Sequence, residues 1–129
     1  MLKHEYYDLS TTNQIIQVKA KGSWDDEIAK QYVASFKATA LPLTQQPWAH
    51  LLNLEDWELG TPELEPIITE LMVWTLQHGL TCFAQVYSPN QLKLYQVSRM
   101  GNALKNMVKY EIFSEEELAF NWLAEQGFK

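Results

Sequence analysis

Residues 48–62 read WAHLLNLEDWELGTP, and this stretch decides the predicted fold. Ala49, Leu51, Leu52 and Leu54 make a nearly continuous apolar run, which is typical of a parallel strand covered by helices on both faces. The acidic residues 55–58 then predict a turn, and Thr61 followed by Pro62 predicts the first residues of a helix. Such junctions collect ligands in α/β folds, because the first N–H groups of a helix have no partner inside it. We therefore expect this strand in the middle of a sheet, with a binding site at the turn that follows it.

Composition and charge bound the class of protein. The chain has 129 residues, of which 47% are hydrophobic, so we predict a single domain spanning residues 1–129. A net charge of -6 opposes binding to nucleic acid. The lone cysteine, Cys82, cannot close an internal disulfide. The start, MLKHEYYDL, resembles no signal peptide, and no run approaches the roughly 18 apolar residues of a membrane span. These features predict a cytoplasmic protein without an integral membrane segment.

The residues on either side of the central stretch predict alternating strands and helices. Loose alternation over residues 4–21 predicts a β-hairpin, and helical spacing up to about Ala40 predicts a first helix capped by Ser23. A second helix is expected to become regular by Pro66 and to end at Gly79. It is followed by a strand at residues 82–87 and a third helix from Pro89 to about Met100.

The end of the chain carries a strong helix signal. Ser114 and Glu117 have the spacing of a capping box, directly after a short strand predicted at residues 110–113. The last helix is expected to bury Leu118, Trp122 and Leu123. In all, the order of elements predicts an α/β sandwich with an N-terminal antiparallel hairpin and parallel strands joined by crossover helices.

Three stretches resemble a known family. They are GSW at residues 22–24, LLNLEDW at residues 51–57 and YEIFSEEELAFNWL at residues 110–123. With the order of elements, they resemble the SpoIIAA-like proteins of the anti-sigma-factor antagonist (STAS) superfamily, whose fold is similar to that of the Sec14 lipid-binding proteins. The resemblance implies a regulatory binding module in which a Ser or Thr after the central strand accepts a phosphate. Only Thr61 matches that position here, so it is a candidate for phosphorylation, although its residue type and position favour a helix cap.

The titratable residues indicate no particular reaction. Asp56 and Glu58 could serve as a carboxylate pair or bind a hard cation, although a solvated acidic turn explains them as well. We expect His50 to be a hydrogen-bonded structural residue and His78 to interact with the C-terminus of the second helix. No histidine has a neighbour at metal-ligand spacing, so we predict no cofactor and no metal site. The sequence favours a non-enzymatic protein.

Charge is distributed unevenly along the chain. Residues 71–110 contain no Asp or Glu, yet they carry Lys93, Arg99, Lys105 and Lys109 among apolar side chains. This pattern suits an anionic partner surface, a lipid headgroup region or a lid over an apolar pocket, and an ordinary helix with a basic face explains it too. Trp57 either packs back into the fold or is presented to a partner.

These observations lead to three hypotheses. The first is a regulatory module that binds a protein partner. Its predicted contact surface joins the turn at residues 55–61 to residues 90–109. The second is a carrier or sensor of a small apolar or lipid-like ligand, with a pocket between the sheet and the segment after Ser88. The third and weakest is a small hydrolase or transferase using His50 with the two acids. A homodimer is left open. The residues predicted for the contact surface are Asp56, Trp57, Glu58, Thr61, Tyr95, Arg99 and Lys105.

Overall fold

The sheet begins with an antiparallel hairpin, as predicted. Strands β2 (Tyr7–Thr12) and β3 (Ile15–Trp24) pair antiparallel, and the short strand β1 (Leu2–Lys3) pairs with β2 on its outer side. Asn13 and Gln14 form the turn with φ of 53° and 66°, the left-handed geometry that matches the twist of two-residue hairpins. A computed structural model describes residues 2–87, 91–101, 104 and 106–129, with the backbone alone described at residues 91–95.

The apolar stretch that decides the fold lies in the middle of the sheet. Strand β4 (Trp48–Gly60) is parallel to β3 on one side and to β5 (Leu80–Val86) on the other. Strand β6 (Lys109–Phe113) is parallel to β5. The strand order is β1-β2-β3-β4-β5-β6. The predicted mixed sheet with a buried parallel strand at its centre is therefore confirmed.

The predicted acidic turn is wrong, because these residues continue strand β4. Asp56 pairs with Lys21 and Gly60 pairs with Trp24, after an irregularity in register that follows Lys19. Among the described residues, β5 pairs with β4 as far as Asn53, and the last part of β4 pairs with β3. The polar composition of residues 55–58 favoured a turn. The sequence pattern of these residues cannot show that β3 is long enough to pair with them and supply hydrogen bonds. We call residues 21–24 and 56–60 the β3–β4 extension.

The helices cover the two faces of the sheet unequally. Helices α1 (Asp26–Ala40), α2 (Leu64–Gln77) and α3 (Gln91–Gly101) pack on one face, where most of the large aromatic side chains are buried. Helix α4 (Glu116–Glu125) packs on the other face over a smaller cluster that includes Cys82. This arrangement follows from consecutive right-handed crossovers, which place the connecting helices on the same side of the parallel strands.

Two predicted caps of the first and second helices are wrong. Asp25, not Ser23, caps α1, and its carboxylate accepts a hydrogen bond of 3.0 Å from the Ile28 N–H. Ser23 still belongs to β3. Helix α2 begins at Leu64, after Glu63, so Thr61 is not its cap. In both places the neighbouring strand extends further than expected and shifts the start of the helix along the chain.

The last helix also begins later than predicted. Its N-cap is Glu115 and not Ser114, and no side-chain hydrogen bond caps it. Leu118 is 46% exposed, so the prediction that it is buried is wrong, whereas Ala119 and Leu123 are buried against the sheet. These two residues are four positions apart and therefore share one face of the helix. Trp122 is half-buried.

The predicted helix ends are confirmed. Gly79, with φ of 94°, follows α2, and such a left-handed residue commonly terminates a helix. Helix α3 ends at Gly101. Its predicted start at Pro89 lies outside the described residues.

Candidate functional site

Asp56 and Trp57 point to opposite faces of β4, although the sequence placed both on one contact surface. The Trp57 side chain is only 4% exposed and meets the Trp24 ring edge-on, with 6.5 Å between centroids. Of the two alternatives for Trp57, the inward one is therefore observed. The Asp56 carboxylate lies 3.5 Å from the Lys19 ammonium, and its side chain is 61% exposed. Trp57 belongs to the interior that includes α3, whereas Asp56 faces away from it.

The Gln96 side chain connects helix α3 to the end of β4, with two hydrogen bonds to one residue of that strand. The carboxamide oxygen of Gln96 accepts a hydrogen bond of 3.0 Å from the Gly60 N–H, and its nitrogen donates one of 2.9 Å to the Gly60 carbonyl. Gln96 and Arg99 also donate to one oxygen of Glu65, at 3.3 and 2.6 Å. We call these four residues the α3 anchor. Among them, only Arg99 was predicted as a site residue. The one signal for Gln96 is its polarity among apolar neighbours in α3.

The β3–β4 extension presents polar side chains on a fixed backbone. The Ser23 hydroxyl donates a 3.3 Å hydrogen bond to the Glu58 carboxylate. The Thr61 N–H donates one of 3.0 Å to the Trp24 carbonyl, while the Thr61 side chain is exposed. Leu59 is 39% exposed. This edge of the molecule therefore exposes the Glu58 carboxylate, the apolar Leu59 side chain and the Thr61 side chain.

The structure brings only some of the predicted contact residues together. Glu58 lies on the β3–β4 extension and Thr61 directly follows it. Arg99 on α3 pairs with Glu65 near the start of α2. The Tyr95 side chain and Lys105 lie outside the described residues. The predicted surface is therefore divided between the β3–β4 extension and the α3 anchor.

A cavity lies between the sheet and helices α1, α2 and α3. Its volume is about 50 Å³. It is placed where the second hypothesis expects a pocket. The residues that line it are almost all apolar or aromatic, and among them are Trp24, Tyr32, Trp57, Gln85, Val97, Met100 and Gly101.

His50 is buried without the hydrogen bond that the sequence predicted. Neither ring nitrogen has a hydrogen-bond partner among the described residues, and the ring stacks on Phe83 at 4.7 Å between centroids. Burial lowers the pKa of His50 to about 3, so the ring is neutral at neutral pH. His78 behaves as predicted, since its Nδ1 lies 2.8 Å from the Trp74 carbonyl in the last turn of α2.

The acids and the histidine do not converge. His50 and Asp56 are six residues apart on one strand, which corresponds to about 20 Å. His50 is also sealed from solvent, whereas Asp56 is exposed. This separation removes the geometry that the hydrolase hypothesis requires.

Two further kinds of feature are absent from the described part of the chain. No group of three or more His, Cys, Asp or Glu side chains there could hold a metal ion. None of the described helices is long and apolar enough to cross a membrane.

Comparisons with known proteins give structural likenesses only. The sequence matches no family model, and it matches no curated protein. The fold is similar to that of an uncharacterized DUF3478-family protein with a SpoIIAA-like fold from Shewanella loihica PV-4. That likeness has a TM-score of 0.70 and 12% sequence identity, and it covers 95% of this chain and 98% of the other.

Two further solved structures have a similar fold. A putative anti-sigma factor antagonist from Thermotoga maritima is similar with a TM-score of 0.62 and 19% identity, over 89% of this chain and 92% of the other. The anti-sigma factor antagonist SpoIIAA in its unphosphorylated form is similar with a TM-score of 0.58 and 12% identity, over 92% and 97% of the two chains.

The chain has the SpoIIAA-like fold. The resemblance drawn from residues 22–24, 51–57 and 110–123 is thus confirmed at the level of the fold. In this SpoIIAA-like fold, the β3–β4 extension and the α3 anchor lie at the carboxyl end of the central parallel strands, where open α/β sheets bind their ligands.

Proposed function

We propose that this chain is a non-enzymatic regulatory module that binds a protein partner through the β3–β4 extension. The observation that supports this most is the contrast within β4. Trp57 is buried and Gly60 is fixed by Gln96, while the intervening Glu58 and Leu59 are exposed. A rigid, exposed strand end loses little conformational entropy when it binds, which favours recognition.

The charge of the extension indicates the chemistry of the partner. Asp56, Glu58 and Glu63 are exposed along this edge of the molecule, and the chain as a whole carries a net charge of -6. A basic protein surface with a small apolar recess for Leu59 would complement it. The anti-sigma factor antagonists named above are regulators by their names, and we extend a regulatory role to this chain as part of the proposal. We also retain the cytoplasmic location in it.

The test is a charge reversal with a matched control. Asp56→Lys with Glu58→Lys should reduce capture of the partner from the native cell extract at least tenfold, measured by quantitative mass spectrometry of cross-linked complexes. Glu70→Lys with Glu125→Lys makes the same change in net charge at exposed positions on α2 and α4. It should leave capture unchanged. The proposed surface would be contradicted if both double variants lost capture of the partner equally, or if neither lost it.

Thr61 is the proposed site of regulation by phosphorylation. Its side chain is exposed, and its backbone is held by the Trp24 carbonyl. A phosphate would add about two negative charges beside Glu63 and so strengthen attraction to a basic partner or repel an acidic one. Phosphopeptide mapping of the chain from its native cells should find this site. Thr61→Ala should leave the affinity of the unphosphorylated chain for its partner intact. It should remove the change in affinity that phosphorylation causes.

The cavity supports a second candidate function, a carrier or sensor of a small apolar ligand. Its volume of about 50 Å³ is well below the roughly 150 Å³ of a cavity that admits benzene. A lipid chain would therefore need α3 to move away from the sheet, which requires the Gln96 and Arg99 bonds to open. Extraction and mass spectrometry of freshly purified protein should show a bound amphiphile if the carrier function operates.

A further inference from the structure

The cavity contains two polar groups whose donor capacity is unused. Tyr32 on α1 and Gln85 on β5 both line it, and each is only 3% exposed. The Gln85 carboxamide oxygen accepts a hydrogen bond from the Tyr110 hydroxyl. Within the described part of the chain, neither the Gln85 amide nor the Tyr32 hydroxyl donates a hydrogen bond. Both donors are therefore available to a molecule bound in the cavity.

The other lining groups are apolar or already satisfied. The Trp24 indole N–H donates to the Tyr6 and Lys21 carbonyls, at 3.2 and 3.0 Å. None of the described residues that line the cavity has a charged side chain. An ionised ligand would lose its hydration there without gaining a counter-charge, which is strongly unfavourable. Burial also raises the pKa of the Tyr32 phenol, so its hydroxyl stays protonated and remains a donor. The cavity therefore suits a neutral molecule that accepts hydrogen bonds.

The size of the cavity limits the occupant. One water needs about 10–15 Å³ measured in this way, so about 50 Å³ corresponds to four or so. Buried waters require two to four polar partners each, and the two unused donors cannot supply a group of that size. An organic molecule with a hydrocarbon part fits the apolar walls better.

We propose that the cavity binds a small neutral molecule of about four non-hydrogen atoms, apolar except for one acceptor such as a carbonyl oxygen held by Tyr32 and Gln85. This deepens the second candidate function by naming the class of ligand. It rests on the cavity alone and is independent of partner binding at the β3–β4 extension. A failure here therefore leaves the regulatory proposal in place.

The test compares two probes that differ at one atom. Acetone carries a carbonyl oxygen, and 2-methylpropene replaces that oxygen with a methylene group. Both are titrated into the full chain while the indole N–H signals of Trp24 and Trp57 are followed by NMR. We expect saturable shifts in the millimolar range, with the ketone binding about fivefold or more tightly, as one neutral hydrogen bond predicts.

Two variants and a control locate the donors. Tyr32→Phe removes the donor on α1 and Gln85→Leu the donor on β5, and each should reduce the preference for the ketone to about twofold or less. Tyr7→Phe removes a hydroxyl that bonds Ser35 outside the cavity lining, so it should preserve the preference. If one wall variant fails to fold, the other decides the result.

A cavity-filling variant supplies an independent check. Val97→Ile adds one methylene group at a residue that lines the cavity, so it should weaken both probes together. The proposal is overturned by an absence of saturable shifts, by equal affinity for the two probes in the unaltered chain, or by an unchanged preference in the folded wall variants.

Discussion

At the scale of single residues, neighbours in sequence have opposite surroundings. Asp56 and Trp57 were predicted to act together on one surface, yet the alternation of side chains along a strand separates them. The pattern could not reveal this, because a turn was expected where the strand continues. The sequence allowed Trp57 either to pack into the fold or to be presented to a partner. The fold decides for the first alternative.

The two residues should therefore respond very differently to alanine. Trp57→Ala removes a buried aromatic side chain beside an existing cavity, so we expect a loss of about 3–5 kcal/mol in the free energy of unfolding. Asp56→Ala removes one exposed ion pair and should change it by less than about 1 kcal/mol. Urea denaturation at neutral pH measures both. Similar values for the two variants would contradict the assignment of Trp57 to the core.

His50 should make stability depend on pH. Its pKa is about 3 in the folded chain, whereas an unfolded histidine titrates near 6.5. Between these values the unfolded state binds a proton that the folded state does not, so stability falls as pH decreases. The loss is about 1.4 kcal/mol per pH unit below about 6.5, down to the folded pKa, and stability is unaffected by this group above 7.

The contribution of His50 is isolated by substitution. His50→Phe keeps an aromatic ring against Phe83 and has no titratable group. The difference in unfolding free energy between the unaltered chain and this variant should decrease by about 1.4 kcal/mol from pH 7.5 to pH 5.5. Chemical denaturation at the two pH values provides the measurement. A difference that stays constant would show that burial does not hold the ring neutral.

At the scale of elements, the predicted types are correct and several boundaries are not. Apolar periodicity identified the helices and strands because burial on one face determines it. The caps at Ser23, Thr61 and Ser114 were wrong, since each has the right chemistry but lies before the residue at which the helix can start. The position of a cap depends on the residue at which the preceding strand ends. That residue is set by strand pairing in the sheet.

The α3 anchor is an element-scale feature that can be tested directly. Gln96→Leu leaves the Gly60 N–H and carbonyl without the carboxamide, so we expect a loss of about 1–3 kcal/mol in stability. Amide hydrogen exchange should accelerate in α3 more than elsewhere. Gln77→Leu, at an exposed position on α2, is the matched control and should change neither measurement. Unaltered exchange in α3 would mean that packing alone holds this helix.

At the scale of the whole molecule, the mixed sheet and its SpoIIAA-like architecture could be predicted, whereas the division of the candidate surface could not. The predicted elements allow few topologies, because crossovers are short and right-handed. The β3–β4 extension and the Gln96 contacts depend on strand length and register, which involve residues more than 30 positions apart. No local pattern carries that information.

The prediction of one domain over residues 1–129 has its own test. Both faces of a single sheet share strands β3 to β5, so the two hydrophobic clusters should unfold together. Calorimetry should give one transition whose calorimetric and van't Hoff enthalpies agree. Tryptophan fluorescence and far-UV circular dichroism should have the same midpoint. Two separate transitions would divide the chain into independent units.

The order of strands in the sheet has a consequence for synthesis. Because each strand lies beside its neighbours in the chain, every new parallel strand can join an edge that has already emerged from the ribosome. Helices α1 to α3 can cover their face as it is made. The opposite face, with Leu51 and Ala84, stays bare until α4 has been translated. A nascent chain paused before α4 should therefore recruit chaperones that bind exposed hydrocarbon surface.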